Sequence, residues 1–293
     1  MLNIYECFYK VIRKQYSALV KYEQGVLKDR DIEDVHQMRV AARRFRAAIR
    51  SFKPFIEPEF MLLIRADLRK LARTLGKVRD LDVSILYFSE YLAKNPDNSG
   101  VKLLVKDYKK ERKKKWKELI SFLKKKKYRK LKENLMALAA NIKHKSLCDE
   151  YDPSYETFYS SFEHVIDEVF KYKSSENLSN SEEELHNLRI AIKHLRYNLE
   201  FINLKDSEAK KIIKYLKKMQ GKLGIINDCN FMNSQLENIL KKKALKVEVK
   251  DDIKRLIEYN NFRKMQEKNK INFPWEELSE DALKTIYMPG RQN

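Results

Sequence analysis

An all-α fold, arranged as helical bundles in two repeated halves, is what this sequence predicts. Glycine and proline supply only 6 residues each among 293, about a third of ordinary usage, which leaves too few turn formers for a β-rich architecture. Apolar residues recur at helical spacing in stretches bounded by turn signals. The second half also repeats the first. Tyr5-Glu6-Cys7-Phe8-Tyr9 returns 150 positions later as Tyr155-Glu156-Thr157-Phe158-Tyr159. At the same offset, without a gap, VHQMRVAARRFRAAIRSF (35–52) aligns with LHNLRIAIKHLRYNLEFI (185–202). LRKLARTLGKVRDLDV (68–83) aligns with LKKMQGKLGIINDCNF (216–231), setting Gly76 on Gly224 and Asp80 on Asp228. The elements recur in one order, as a duplicated helical unit requires.

In the first half the helices are expected between breaks near Lys28-Asp29, at Pro54 and Pro58, around Gly76, and at the NPDNSG stretch from Asn95 to Gly100. In the second half the breaks fall near Ser174 to Asn180, around Asp206, around Gly224 and before Val249. Asp152-Pro153 marks the junction, because proline pushes the residue before it out of helical geometry. Four or five helices per half, joined by short connections, read as bundles. The expected division is one domain made of a first repeat over 1–148 and a second over 149–273, followed by a frayed C-terminal tail over 274–293.

The charge constrains function. Lys and Arg number 62 against 42 Asp and Glu, a formal charge of +20, which calls for anionic partners. A 43% hydrophobic content supports a core and excludes disorder throughout. Cys7, Cys148 and Cys229 are odd in number and far apart, fitting neither a disulfide framework nor a zinc site. No apolar run approaches the roughly 18 residues of a spanning helix, and MLNIYECFYK lacks the basic-then-apolar order of a leader. A cytoplasmic protein with no membrane partner is expected.

One helix carries the functional reading. On a wheel of about 100° per residue, His36, Arg39, Arg43, Arg46 and Arg50 share an arc of roughly 80°. Met38, Ala41, Ala42, Phe45, Ala48, Ile49 and Phe52 occupy the opposite face. One face packs, and the other is a cationic rail about 21 Å long at about 1.5 Å per residue. The second copy repeats it with His186, Arg189, Lys193 and Arg196, but Glu200 stands where Arg50 stood. The plain alternative is a solvated face paired with acids. Against it, like charges at i,i+3 and i,i+4 repel unless an anion sits among them. Arg also offers a planar fork suited to phosphate, which solubility alone does not require.

These residues resemble the conserved-histidine α-helical domain family, CHAD. The resemblance rests on the signature H-x-x-R-x-x-x-[RK]-x-x-R, present as His36, Arg39, Arg43 and Arg46 and again as His186, Arg189, Lys193, Arg196 and Tyr197. LGKVRDLDV (75–83) and LGIINDCNF (223–231) look like the family's second motif, so the likeness runs from about Tyr5 to the mid-260s. It implies two pseudo-symmetric helical bundles around a basic central channel, and binding of inorganic polyphosphate on the two rails. Phosphate or sulfate can occupy the same positions, and polyphosphate granules are an implied location. Arg69, Arg73, Arg79, Lys217 and Tyr197 follow as secondary contacts. The second half departs from the first where Asn227 replaces Arg79 and Gly221 replaces Arg73, so phosphate should be held less tightly there. His194 replaces Arg44, but both fall near 80° on the wheel, away from the rail.

Other chemistry is weaker. Asp80 and Asp82 could ligate magnesium beside phosphate, yet Asp228 is followed at the matching position by Asn230, which favours capping or Arg pairing for Asp80 and Asp228. His36 and His186 suit hydrogen bonding to phosphate better than acid–base catalysis, since no nucleophile or carboxylate motif accompanies them. His144, His164 and the cysteines lack metal-ligand spacing, so no metal or cofactor is assigned. The lysine runs KKERKKKWK (109–117) and KKKKYRK (124–130) read as solvated faces that add diffuse attraction. No P-loop, HExxH or GxSxG occurs, and Lys246-Val247-Glu248-Val249-Lys250 lacks the first Glu of the ExExK motif of CYTH phosphohydrolases. A non-catalytic binder is therefore expected over a hydrolase of short polyphosphates. The main rival is a general polyanion or RNA-binding protein, with nucleic acid otherwise a weaker competitor. The rails carry no interleaved aromatics for base stacking except Tyr197.

Overall fold

The computed structural model describes residues 3–147, 154–175, 178, 181–202, 207–241, 245–271, 273, 275 and 278–287. These residues form an all-α fold of ten α-helices and a short 3₁₀ turn. In the first half α1 spans Ile4–Lys28, α2 Ile32–Ser51, α3 Pro58–Lys94, α4 Ser99–Leu123 and α5 Lys126–Lys145, with the 3₁₀ turn at Lys53–Phe55. In the second half α6 spans Ser154–Phe170, α7 Glu182–Ile202, α8 Ser207–Leu240, α9 Val247–Asn269 and α10 Glu280–Tyr287.

Local chemistry sets the ends. Asn3 caps α1 by accepting from the Glu6 amide at 2.9 Å, and Asp31 caps α2 by accepting from the Glu33 amide at 2.9 Å. Asp29 closes α1 in the left-handed region with φ of 48°, a conformation Asp tolerates better than most residues. Pro58 opens α3, where its missing N–H costs nothing. The α3–α4 turn is pinned from α9, as Asp252 accepts from the Gly100 amide at 2.7 Å. A Cβ at residue 100 would lie 2.7 Å from that of Asp252, so the approach requires glycine.

Three sequence expectations are corrected. No break occurs at Gly76 or Gly224: α3 and α8 run straight through them. A helical glycine costs only about 1 kcal/mol relative to alanine, and buried Leu71, Leu75 and Val78 beside Gly76 outweigh that. The tail after residue 274 contains α10, whose Leu283 is fully buried, with Leu278 before it also enclosed; its packing against α6 supplies the order that its sequence alone does not. The expected junction at Asp152-Pro153 and the break at Asp206 lie outside the described residues, as does Cys148.

The apolar cores do not divide at residue 148. One large cluster draws on both halves, stacking Phe8, Phe52 and Phe158 and reaching Phe201. A second cluster joins the far half of α3 (Phe88, Tyr91) and the start of α4 (Val101, Leu104) to the end of α8 (Met232, Leu236) and α9 (Ile253, Leu256). The 37-residue α3 and the 34-residue α8 contribute to both clusters. The repeated sequences are thus interlocked by burial, each half closing part of the other's core.

Candidate functional site

α2 and α7 carry the two rails and pack directly against each other. Met38, Ala42, Phe45 and Ala48 on α2, and Leu188, Ile192, Leu195 and Leu199 on α7, are fully enclosed. Burying these stripes fixes the rotation of each helix and leaves the basic face exposed on part of α2 and half-covered on α7, where Arg196 is buried. On α2, Arg46 and Arg50 are exposed, while His36, Arg39 and Arg43 are partly covered.

The rails converge on Lys193. Burial, then Arg189, Arg43, Arg50 and Arg46, push its ammonium down to about 8, and these leading charged neighbours are all cations. Burial also lowers Arg189, with Arg43 adding to the effect and Asp228 opposing it. Arg46, exposed over much of its surface, is lowered by partial desolvation and then by Arg50, Arg69 and Arg73, so α3 brings two of its arginines near the same cluster. His36 is lowered by burial first and by Arg79 next. Charge repulsion in a partly desolvated setting disfavours every protonated form there.

The donors are also short of acceptors. His36 Nδ1, Arg43 Nε and Arg189 Nε are buried and find no hydrogen-bond partner among the described residues. Buried polar atoms are ordinarily satisfied, so the unpartnered Nε–H donors of Arg43 and Arg189, amid like charges, are suited to an oxyanion.

Several expected contacts are drawn elsewhere. Arg196 is buried, with Nε donating to Gln220 Oε1 at 2.8 Å and Nη1 to Glu200 Oε1 at 2.5 Å. Glu200 also holds Arg44 at 2.7 Å and lies 3.8 Å from Lys217. Arg196 is therefore directed to this carboxylate, which stands at the position aligned with Arg50, while Lys217 remains 60% exposed beside it. Tyr197 is only 2% exposed, and the guanidiniums of Arg43, Arg44 and Arg196 lie 5.9, 5.2 and 4.8 Å from its ring centre. It is a platform beneath arginines, with no open face for a ligand. His186 is exposed at the edge, its Nδ1 3.1 Å from Asn227 Oδ1.

Sequence reasoning missed His194. Placed away from the rail on its own helix wheel, it meets Arg50 across the α2–α7 contact, Nε2 to Nη1 at 2.9 Å. Burial, then Arg50 and Lys193, push it down to about 4, so it is neutral and accepts from Arg50.

The acids resolve differently. Asp80 pairs with Arg39 at 3.3 Å, the arginine pairing expected of it, whereas Asp228 influences Arg189 electrostatically without a close ion pair among the described residues. Asp82 is 3% exposed and engaged by Arg112 at 2.6 Å, so it turns into the packing between α3 and α4. No group of three or more metal-ligating side chains occurs among the described residues. The 246–250 stretch leads into and opens helix α9, where the ExExK motif would need a strand. Among the described residues, no helix is long and apolar enough to cross a membrane.

A family model described as the CHAD domain matches residues 10–237. The crystal structure of the CHAD domain from the plant Ricinus communis is similar, with a TM-score of 0.67 and 20% identity over 97% of this chain and 91% of that one. PptA from Streptomyces chartreusis is also similar, with a TM-score of 0.65 and 11% identity over 90% of this chain and 98% of that one. At these identities the two structures show a common fold alone. No curated protein matches the sequence.

Proposed function

The chain belongs to the CHAD domain family, and from that premise we propose that it binds inorganic polyphosphate along the converging rails of α2 and α7. The observation that carries the reading is Lys193, part-buried among Arg189, Arg43, Arg50 and Arg46, the four charges that act on it most strongly. Such a cluster repels itself when empty and is stabilised by a ligand that brings many negative charges. The contact set is His36, Arg39, Arg43, Arg46, Arg50, Arg189 and Lys193, with Arg69, Arg73 and Arg79 approaching from α3 and His186 at the edge. In this reading the rails line the basic central channel of the family, and Arg196 acts through Glu200 instead of touching phosphate.

Polyphosphate is favoured over single-stranded RNA because the aromatic nearest the cluster, Tyr197, is buried and cannot stack a base. The protein is read as a binder that leaves the chain intact, acting in the cytoplasm and at polyphosphate granules. The test is a competition titration of long-chain polyphosphate against single-stranded RNA of matched charge at about 0.15 M salt. Polyphosphate should win by at least tenfold, with its size distribution unchanged, and Arg43→Glu or Arg189→Glu should abolish the preference. Parity, or insensitivity to both reversals, would leave a diffuse polyanion binder.

A further inference from the structure

The exposed cations do not stop at the rails. Arg69 and Arg73, which act on Arg46, lie on the open surface of α3 together with Lys70 and Lys77. On a wheel of about 100° per residue these four spread over roughly 100°, from the side facing α2 to the side facing α4. Contacts mark the far side: Lys70 Nζ lies 5.7 Å from the Phe122 ring centre, and Lys77 acts on Glu118 of α4. On α4, Lys110, Lys114 and Lys117 are exposed and share one face. Lys114 also acts on Glu118, so the two helices' cations meet at that carboxylate.

Three acids beside this path are engaged. Glu118 accepts from Lys115 at 2.8 Å, Glu111 lies 3.4 Å from the same lysine, and Asp67 pairs with Lys127 at 3.1 Å. No ion pair forms at Arg69, Arg73, Lys77, Lys114 or Lys117 among the described residues. A continuous cationic surface therefore leads from Arg46 over α3 to the outer face of α4. Two helix-to-helix steps of about 10 Å each add roughly 20 Å to a rail of about 21 Å.

Resting on the polyphosphate reading above, we infer that this surface is an outer track that holds the distal part of long polyphosphate and makes affinity depend on chain length. A short chain is satisfied within the rail, whereas a long one continues over Arg69, Arg73 and Lys77 to Lys114 and Lys117. The track is made of separate exposed cations spread over two helices, which suits a flexible chain of phosphates that can reach them in succession.

The test uses the full chain with tripolyphosphate and with long-chain polyphosphate. Lys77→Ala, Lys114→Ala and Lys117→Ala combined should leave tripolyphosphate affinity unchanged and weaken the long chain about tenfold. The slope of log affinity against log salt for the long chain should fall by about two, at roughly 0.7 for each lost contact. Lys210→Ala, Lys211→Ala and Lys214→Ala combined, all exposed on α8, make the same change in net charge elsewhere and should have no such effect. Equal weakening by both triple variants, or equal weakening of both ligands, would overturn the track. Arg43→Glu separates the two ideas: loss of tripolyphosphate binding is required by the rail, and its retention would sink the rail while the lysine dependence of the long chain still decides the track.

Discussion

Arg50 Nη1 lies 2.9 Å from His194 Nε2, joining the end of the first rail to the helix that carries the second. The contact needs a neutral imidazole, and burial with Arg50 and Lys193 nearby holds His194 down at about 4. Unfolded, the same ring titrates near 6.5. The unfolded chain therefore takes up a proton first as pH falls, so the stabilisation is intact above about 6.5 and lost as pH drops to about 4. Its size is on the order of 2–3 kcal/mol. Urea midpoints should fall across that window in the wild type and stay flatter in His194→Gln. Parallel pH profiles would show that another group governs the acid limb.

Lys193 gives a prediction of opposite use. Its ammonium is pushed down to about 8 by burial and four cations, so the empty site holds a partly neutral amine under mildly alkaline conditions. A polyanion reverses the repulsion and restores the proton. Between about pH 8 and 10, polyphosphate binding should take up nearly one proton, read as a dependence of calorimetric enthalpy on buffer ionisation, and affinity should weaken as pH rises. Lys193→Arg should bind without that uptake. The ligand should also raise Tm, since it binds the folded state alone. A Tm unmoved at saturation would count against the site.

The rails themselves were legible in the sequence because a helix whose apolar stripe is buried must turn its opposite arc away from that core. His36 to Arg50 and His186 to Lys193 follow from periodicity within single helices, whereas Arg69 and Arg73 rest on the family resemblance. What stayed hidden depends on a second helix. A wheel for α7 puts His194 off the rail, but it does not know that α2 crosses there and delivers Arg50. The same wheel aligns Arg196 with the rail, whereas Glu200 one turn along α7 and Gln220 of α8 draw it aside. Gly76 misled because a turn former weighs little against flanking leucines in a buried helix, and α10 was missed because its order comes from α6.

Glu200 should be worth more to stability than to binding. It holds Arg196, which is 9% exposed, and Arg44 together, so Glu200→Ala strands two guanidiniums in a poorly hydrated place. The expected cost is about 2–3 kcal/mol in urea unfolding. Lys217→Ala, whose side chain is 60% exposed, should cost less than about 0.5 kcal/mol. Comparable losses from the two would mean that Glu200 is no hub.

Arg112 offers the sharpest structural test, because one guanidinium ties three helical segments. Its Nη1 and Nη2 each donate to Asp29 at 2.8 Å, at the end of α1, and its Nε donates to Asp82 of α3 at 2.6 Å. The two hydrogen bonds to Asp29 and the one to Asp82 raise the Arg112 pKa against burial. Lysine keeps the charge and loses the fork, leaving the nearly enclosed Asp82 carboxylate without a matched donor. Arg112→Lys should therefore cost about 2–3 kcal/mol. Because much of that cost is the stranded carboxylate, Asp82→Asn in the Arg112→Lys background should recover part of it, while Asp82→Asn alone should destabilise. Strict additivity of the two changes in a double-mutant cycle would show that the residues act independently.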